Sequence, residues 1–97
     1  GGIALGSVGG AVEAFCRAVA PEIAPQRINT VSPGIIDTPM FGPESSERSN
    51  KLDTATAGHV IPRPGTAIEI ASAIIFTIQN DFVTGTTVDV DGGWLLS

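Results

Sequence analysis

The sequence predicts an α/β fold with parallel strands, in the order helix, strand, loop, helix, strand. Three observations carry this. Two β-prone runs, 27–31 (Arg-Ile-Asn-Thr-Val) and 84–90 (Thr-Gly-Thr-Thr-Val-Asp-Val), stand far apart in the chain. A capped helical pattern lies between them, and strands joined through a helix run parallel with a right-handed crossover. A further helical pattern precedes the first strand, and parallel strands need cover on both faces.

The elements follow in order. Residues 7–24 read as a helix, because Val12, Phe15, Cys16, Val19 and Ile23 recur at helical spacing. Ala11, Ala14, Ala18 and Ala20 fill its other faces, and Glu13 and Arg17 form a four-apart pair. Glycines 6, 9 and 10 weaken its start by roughly 1 kcal/mol each relative to Ala. Pro21 should disturb its last turn, and Pro25 should end it. Strand 27–31 closes at the Pro33-Gly34 turn. Residues 39–62 are polar and form a long loop, in which 45–57 suits one or two short helical turns. A loop of this length in a compact domain is usually functional or mobile. Thr66-Ala67-Ile68-Glu69 matches a capping box. It opens a helix to about Gln79 that turns Ile70, Ile74, Ile75 and Ile78 to a core. Asn80-Asp81 breaks that helix, and Gly92-Gly93 ends strand 84–90.

Composition narrows the function. Hydrophobic residues make up 42% and charged ones 15%, which is apolar for a free-standing domain of 97 residues. A large face is therefore covered by another subunit, or the chain is a piece of something bigger. A net charge of −5 disfavours nucleic acid and anionic membranes as partners. No apolar run approaches the roughly 20 residues that span a bilayer. One cysteine, Cys16, excludes an internal disulfide framework and suits a buried thiol. A soluble chain in the cytoplasm, without a signal peptide, is the expectation.

The most informative stretch is Asn29-Thr30-Val31-Ser32-Pro33-Gly34-Ile35-Ile36-Asp37-Thr38-Pro39-Met40. A strand that stops at such a turn leaves backbone N–H groups unpaired at the sheet edge, where open α/β proteins bind nucleotides. The second signal is Thr84-Gly85 through Asp91-Gly92-Gly93-Trp94. With Gly10-Ala11-Val12-Glu13-Ala14-Phe15 and Arg63-Pro64-Gly65-Thr66, these pieces resemble the C-terminal part of a short-chain dehydrogenase/reductase.

That resemblance implies the C-terminal portion of a Rossmann-like doubly wound parallel sheet, with NAD or NADP at its carboxyl edge. It implies that Pro33 and Gly34 shape the turn beside the nicotinamide, and that the backbone of Ile36 bonds the carboxamide. It also implies that Thr38 reaches the carboxamide or the pyrophosphate. Residues 39–57 would be a mobile segment closing over substrate, with Met40 and Phe41 either lining it or packing its hinge. The family's catalytic helix carries Tyr-x-x-x-Lys. In register with Gly10-Ala11-Val12-Glu13, those positions fall on Leu5 and Gly9, neither of which can move a proton. There is no tyrosine in the sequence, and Lys51, its only lysine, lies in the loop. Gly2-x-x-x-Gly6 is a poor echo of a dinucleotide loop, since Val8 stands where the next glycine belongs.

Other chemistry finds less support. His59 is the only histidine and reads as a solvated loop residue. Glu44, Glu47 and Asp53 lack the spacing of a calcium loop, so no metal is expected. Three functions stay open. The chain is the C-terminal part of an NAD(P)-dependent oxidoreductase, inactive in isolation; or a non-catalytic self-association module; or a truncated or decayed relative. Its partners would be copies of itself or a missing N-terminal half.

Overall fold

The computed structural model describes the backbone of residues 2–96 and the side chains of residues 10–96. The elements are α1 (Gly2–Ile23), β1 (Thr30–Pro33), a 3-10 turn (Pro39–Phe41), α2 (Ser46–Thr56), α3 (Ala67–Gln79), β2 (Thr87–Val90) and a second 3-10 turn (Trp94–Leu96). β1 and β2 pair in parallel, with Thr30 opposite Thr87 and Pro33 opposite Val90. The α/β class and the parallel pairing are as expected. Among the described residues, no helix is long and apolar enough to cross a membrane.

α1 starts earlier than the expected 7–24, since glycine taxes a helix without breaking it. The helix absorbs Pro21 in its last turn and stops at Ile23, before Pro25. Cys16 and Ala20 are buried on it, while Val12 and Phe15 are exposed. The Cys16 thiol sits 3.4 Å from the carbonyl of Ile28.

Both strands begin three residues later than the sequence suggests, for one shared reason. Over 27–29 and 83–86 the segments are joined largely by side chains, with one backbone bond and no regular ladder. Asn29 donates its amide to the Val83 carbonyl at 3.0 Å, and its Oδ1 accepts from the Thr86 N–H at 3.1 Å. The Ile28 N–H reaches Thr84 Oγ1, and the Gly85 N–H reaches the Ile28 carbonyl. Regular pairing takes over where Thr30 N–H donates to Thr86. At the other end β1 runs through Pro33 instead of closing before it, and the Gly34 N–H still bonds Val90.

α3 is fixed at both ends. Thr66 and Glu69 form the expected capping box, which satisfies two of the free N–H groups of the first turn. At the C-terminus, Arg27 donates to the carbonyls of Thr77 at 2.6 Å and Ile78 at 2.7 Å, and to Val83 at 3.0 Å. A guanidinium suits that end, where unpaired carbonyls carry partial negative charge. Between those ends the expected core face is mostly uncovered. Ile70 is half-buried, but Ile74, Ile75 and Ile78 are exposed. The described sheet has two strands, too narrow to cover a helix that is apolar nearly all round.

The 39–62 segment is more ordered than one or two helical turns. Ser45 caps α2 by accepting from the Arg48 N–H, and α2 runs for 11 residues. Leu52 and Thr56 on it are fully buried.

Candidate functional site

Beyond β1 the chain turns sharply against the end of β2. A Cβ on Gly34 would lie 2.7 Å from the Asp91 Cα, so this close approach requires glycine. Asp91 in turn accepts from the Gly93 N–H at 2.9 Å, and Gly92 and Gly93 take positive φ values of 63° and 76°.

Ile36 then faces Gly65 in an isolated parallel bridge. The bridge is made by its neighbours: the Gly65 N–H donates to Ile35 and the Asp37 N–H donates to Gly65, both at 2.9 Å. Alternation along an extended chain aims the Ile36 N–H and C=O the other way. Among the described residues neither group has a hydrogen-bond partner. Thr38 follows in extended conformation, and its hydroxyl likewise bonds nothing among the described residues.

Ile36 and Thr38 are among the residues lining an apolar cleft of about 490 Å³, with Pro33, Gly34, Ile35, Met40, Phe41, Ala67, Ile70 and Trp94. That volume lies within the range of small-molecule sites, roughly 300–1,000 Å³. All four residues singled out for cofactor contact, Pro33, Gly34, Ile36 and Thr38, therefore meet in one cleft. Trp94, Ala67 and Ile70 were missed as lining. Ala67 and Ile70 read as ordinary helix positions, and only the fold carries Trp94 back from the far end of β2. His59 lies in the bend after α2, half-buried, and its ring stacks on Trp94, centroids 5.5 Å apart and 22° between planes. Met40 is largely exposed at the rim.

A second hollow, of about 300 Å³ and mixed lining, includes Ile36, Arg63, Gly65, Glu69, Asp89 and Asp91. Arg63 grips Glu69 through two parallel bonds of 2.9 Å. Those bonds, with the N–H of Thr66, hold the Glu69 carboxyl at about 2, well below its ordinary 4.5. The pair thus braces the start of α3, next to the Gly65 bridge. Among the described residues no group of three or more His, Cys, Asp or Glu side chains could hold a metal ion. The side chains of Leu5 and Gly9, and the Gly2–Gly6 stretch, lie outside the described side chains.

The family model for enoyl-(acyl carrier protein) reductase matches residues 4–95. The chain belongs to the short-chain dehydrogenase/reductase family. One family relative, a short-chain dehydrogenase/reductase of Stachybotrys chlorohalonatus, is 38% identical over 95% of this chain and 36% of its own length. The 3-oxoacyl-[acyl-carrier-protein] reductase of Rattus norvegicus is 32% identical over 100% of this chain and 39% of its own. Among solved structures, a small-chain dehydrogenase in complex with NADPH superposes with a TM-score of 0.81 at 37% identity, over 94% of this chain and 42% of that one. ElxO with NADP bound gives 0.78 at 32% identity, over 95% of this chain and 39% of that one. The chain thus spans well under half the length of these family members, and its fold is that of a Rossmann-like portion of them.

Proposed function

We propose that this chain is the C-terminal part of an NAD(P)-dependent oxidoreductase and that its apolar cleft receives the nicotinamide end of the cofactor. The observation that carries the reading is that one cleft is lined by Ile36, whose N–H and C=O have no partner among the described residues, and by Thr38, whose hydroxyl likewise has none among them. A nicotinamide carboxamide is flat, with one acceptor oxygen and two donor hydrogens, and an amide N–H beside a C=O complements it. Bound NAD(P) would supply or accept a hydride. Pro33, Phe41 and Ile70 would keep water from the ring, and the 39–62 segment would close over substrate. Two structural neighbours whose descriptions name NADPH or NADP support this choice of cofactor.

The chain by itself turns nothing over in this reading. Its sequence has no tyrosine, Lys51 sits exposed on α2, and Leu5 and Gly9 stand at the proton-transfer positions. An N-terminal half, or further copies of this chain, would cover the apolar flanks of α1 and α3. The cytoplasm, where nicotinamide cofactors are abundant and a lone thiol stays reduced, suits such a protein.

The test is titration with NADPH and NADH, read by calorimetry and by emission of Trp94, the only tryptophan, which lines the cleft. Binding with quenching of Trp94 is expected. Thr38→Val should weaken it by about threefold to tenfold, the worth of one hydrogen bond. Absence of binding at millimolar cofactor would reject the cleft as a cofactor site in this chain. Self-association alone is the second reading, favoured by exposed Val12, Phe15, Ile75 and Ile78. It predicts oligomers by sedimentation together with no cofactor binding.

A further inference from the structure

One wall of the cleft comes from the far end of the chain. Trp94 opens the last 3-10 turn, and the two residues after it, Leu95 and Leu96, are exposed. The backbone of Trp94 is fixed by a crossing just before it. There the Ile61 N–H donates to the Gly92 carbonyl at 2.8 Å, and the Trp94 N–H donates to the Asp91 carbonyl at 3.2 Å. A Cβ on Gly93 would lie 2.7 Å from the Val60 Cβ, so the two segments cross where glycine is required. The indole has a contact of another kind. The His59 imidazole lies on it, with ring centroids 5.5 Å apart.

His59 can act as a brace because its own place is fixed. Its N–H donates to the carbonyl of Thr56 at 3.0 Å, and Thr56 is fully buried on α2. Backbone bonds settle where the Trp94 Cα lies, but they leave the side-chain torsions open. Those torsions decide whether the indole stands along the cleft or swings off it, and at 47% exposure Trp94 has room to swing. A site keeps its shape only when the rotamers that line it are themselves held. A flat ring stacked on one face of the indole supplies that hold. His59 is not among the residues that line the cleft, so it acts on the cleft through Trp94.

We infer that His59 is a positioning residue: by stacking on Trp94 it holds the indole in place as a wall of the cleft. The value of that wall to a bound cofactor rests on the cleft reading above. The bracing itself does not, because it is read on the protein without any ligand.

The test is acrylamide quenching of tryptophan emission in the ligand-free protein, where Trp94, the only tryptophan in a sequence without tyrosine, reports alone. His59→Ala should raise the quenching constant by about twofold, because the freed indole spends more time in solvent. His59→Phe keeps a flat ring and should restore the original value. Hydrogen exchange at the Ile61 amide, which bonds Gly92, should stay within roughly twofold in His59→Ala, since the backbone crossing does not depend on the ring. In a titration with NADPH, His59→Ala should bind about twofold to tenfold more weakly, the factor by which one aromatic pair biases a side-chain equilibrium. His59→Leu, which has bulk but no ring to stack, carries the same expectations should His59→Ala lose the fold. Unchanged quenching would overturn the brace, as would a rise that His59→Phe fails to reverse. Faster exchange at Ile61 in step with the quenching would overturn it too, because the whole crossing would then have opened. Should NADPH not bind at all, the cofactor reading falls and the quenching still decides the brace.

Discussion

In α2, whose only large apolar side chain is Leu52, Leu52 and Thr56 reach 2% and 0% exposure. In α3, a run of isoleucine, alanine and phenylalanine, only Thr77 is buried, and Ile68, Ile74, Ile75, Phe76 and Ile78 stand between 43% and 80% exposed. Composition and burial are reversed between the two helices. A side chain is buried by what lies opposite it, and among the described residues the sheet against α3 has two short strands. Strands spaced about 4.8 Å apart leave a two-stranded sheet narrower than the helix it should cover. α3 keeps its place through its ends, by the Thr66–Glu69–Arg63 cluster and the Arg27 fork. The lesson is that directional polar bonds can position an element whose hydrophobic face has no partner within the same stretch of chain.

The comparison can be broken or sharpened by experiment. Leu52→Ala should have the largest effect, a loss of about 2–5 kcal/mol in denaturant unfolding, because it opens a cavity at a filled site. Little change would mean that α2 is not packed as described. Next is the polar clamp on α3. Glu69 has its folded value depressed to about 2, so its contribution is fully present above its unfolded value near 4.5 and is lost as pH falls towards 2. Urea unfolding at stepped pH should show a shallower loss over that window for Glu69→Gln than for the native protein. Parallel curves would remove Glu69 from the account of α3. Smallest is Ile78→Ser, which should change stability within about 0.5 kcal/mol, as exposed substitutions do. It should also lower self-association in sedimentation, and a cost as large as that of Leu52→Ala would show that α3 is covered after all.

The candidate site was more legible than the elements around it. Pro33, Gly34, Ile36 and Thr38 are close in sequence, so any fold that ends a strand there gathers them at one edge. The cleft's other wall was hidden, because Ala67, Ile70 and Trp94 arrive from elements dozens of residues away. The strand starts were missed because Asn29 and Thr84 bond the opposite backbone with their side chains. No periodicity encodes a pairing of that kind. The stacking of His59 was hidden for a related reason: its neighbour in space is Trp94, 35 positions along the chain.

By itself the sequence determined what short-range geometry controls. The Thr66–Glu69 box closes within one helical turn, the β-branched runs extend, and glycines mark the bends at 92 and 93. Tertiary structure alone decided which apolar faces found cover, that Arg27 caps a helix 50 residues downstream, and that Arg48 reaches back to Asp37. Local bonds depend on a few dihedral angles of adjacent residues. Burial and long-range pairing depend on where distant segments come to rest, which only the folded chain as a whole specifies.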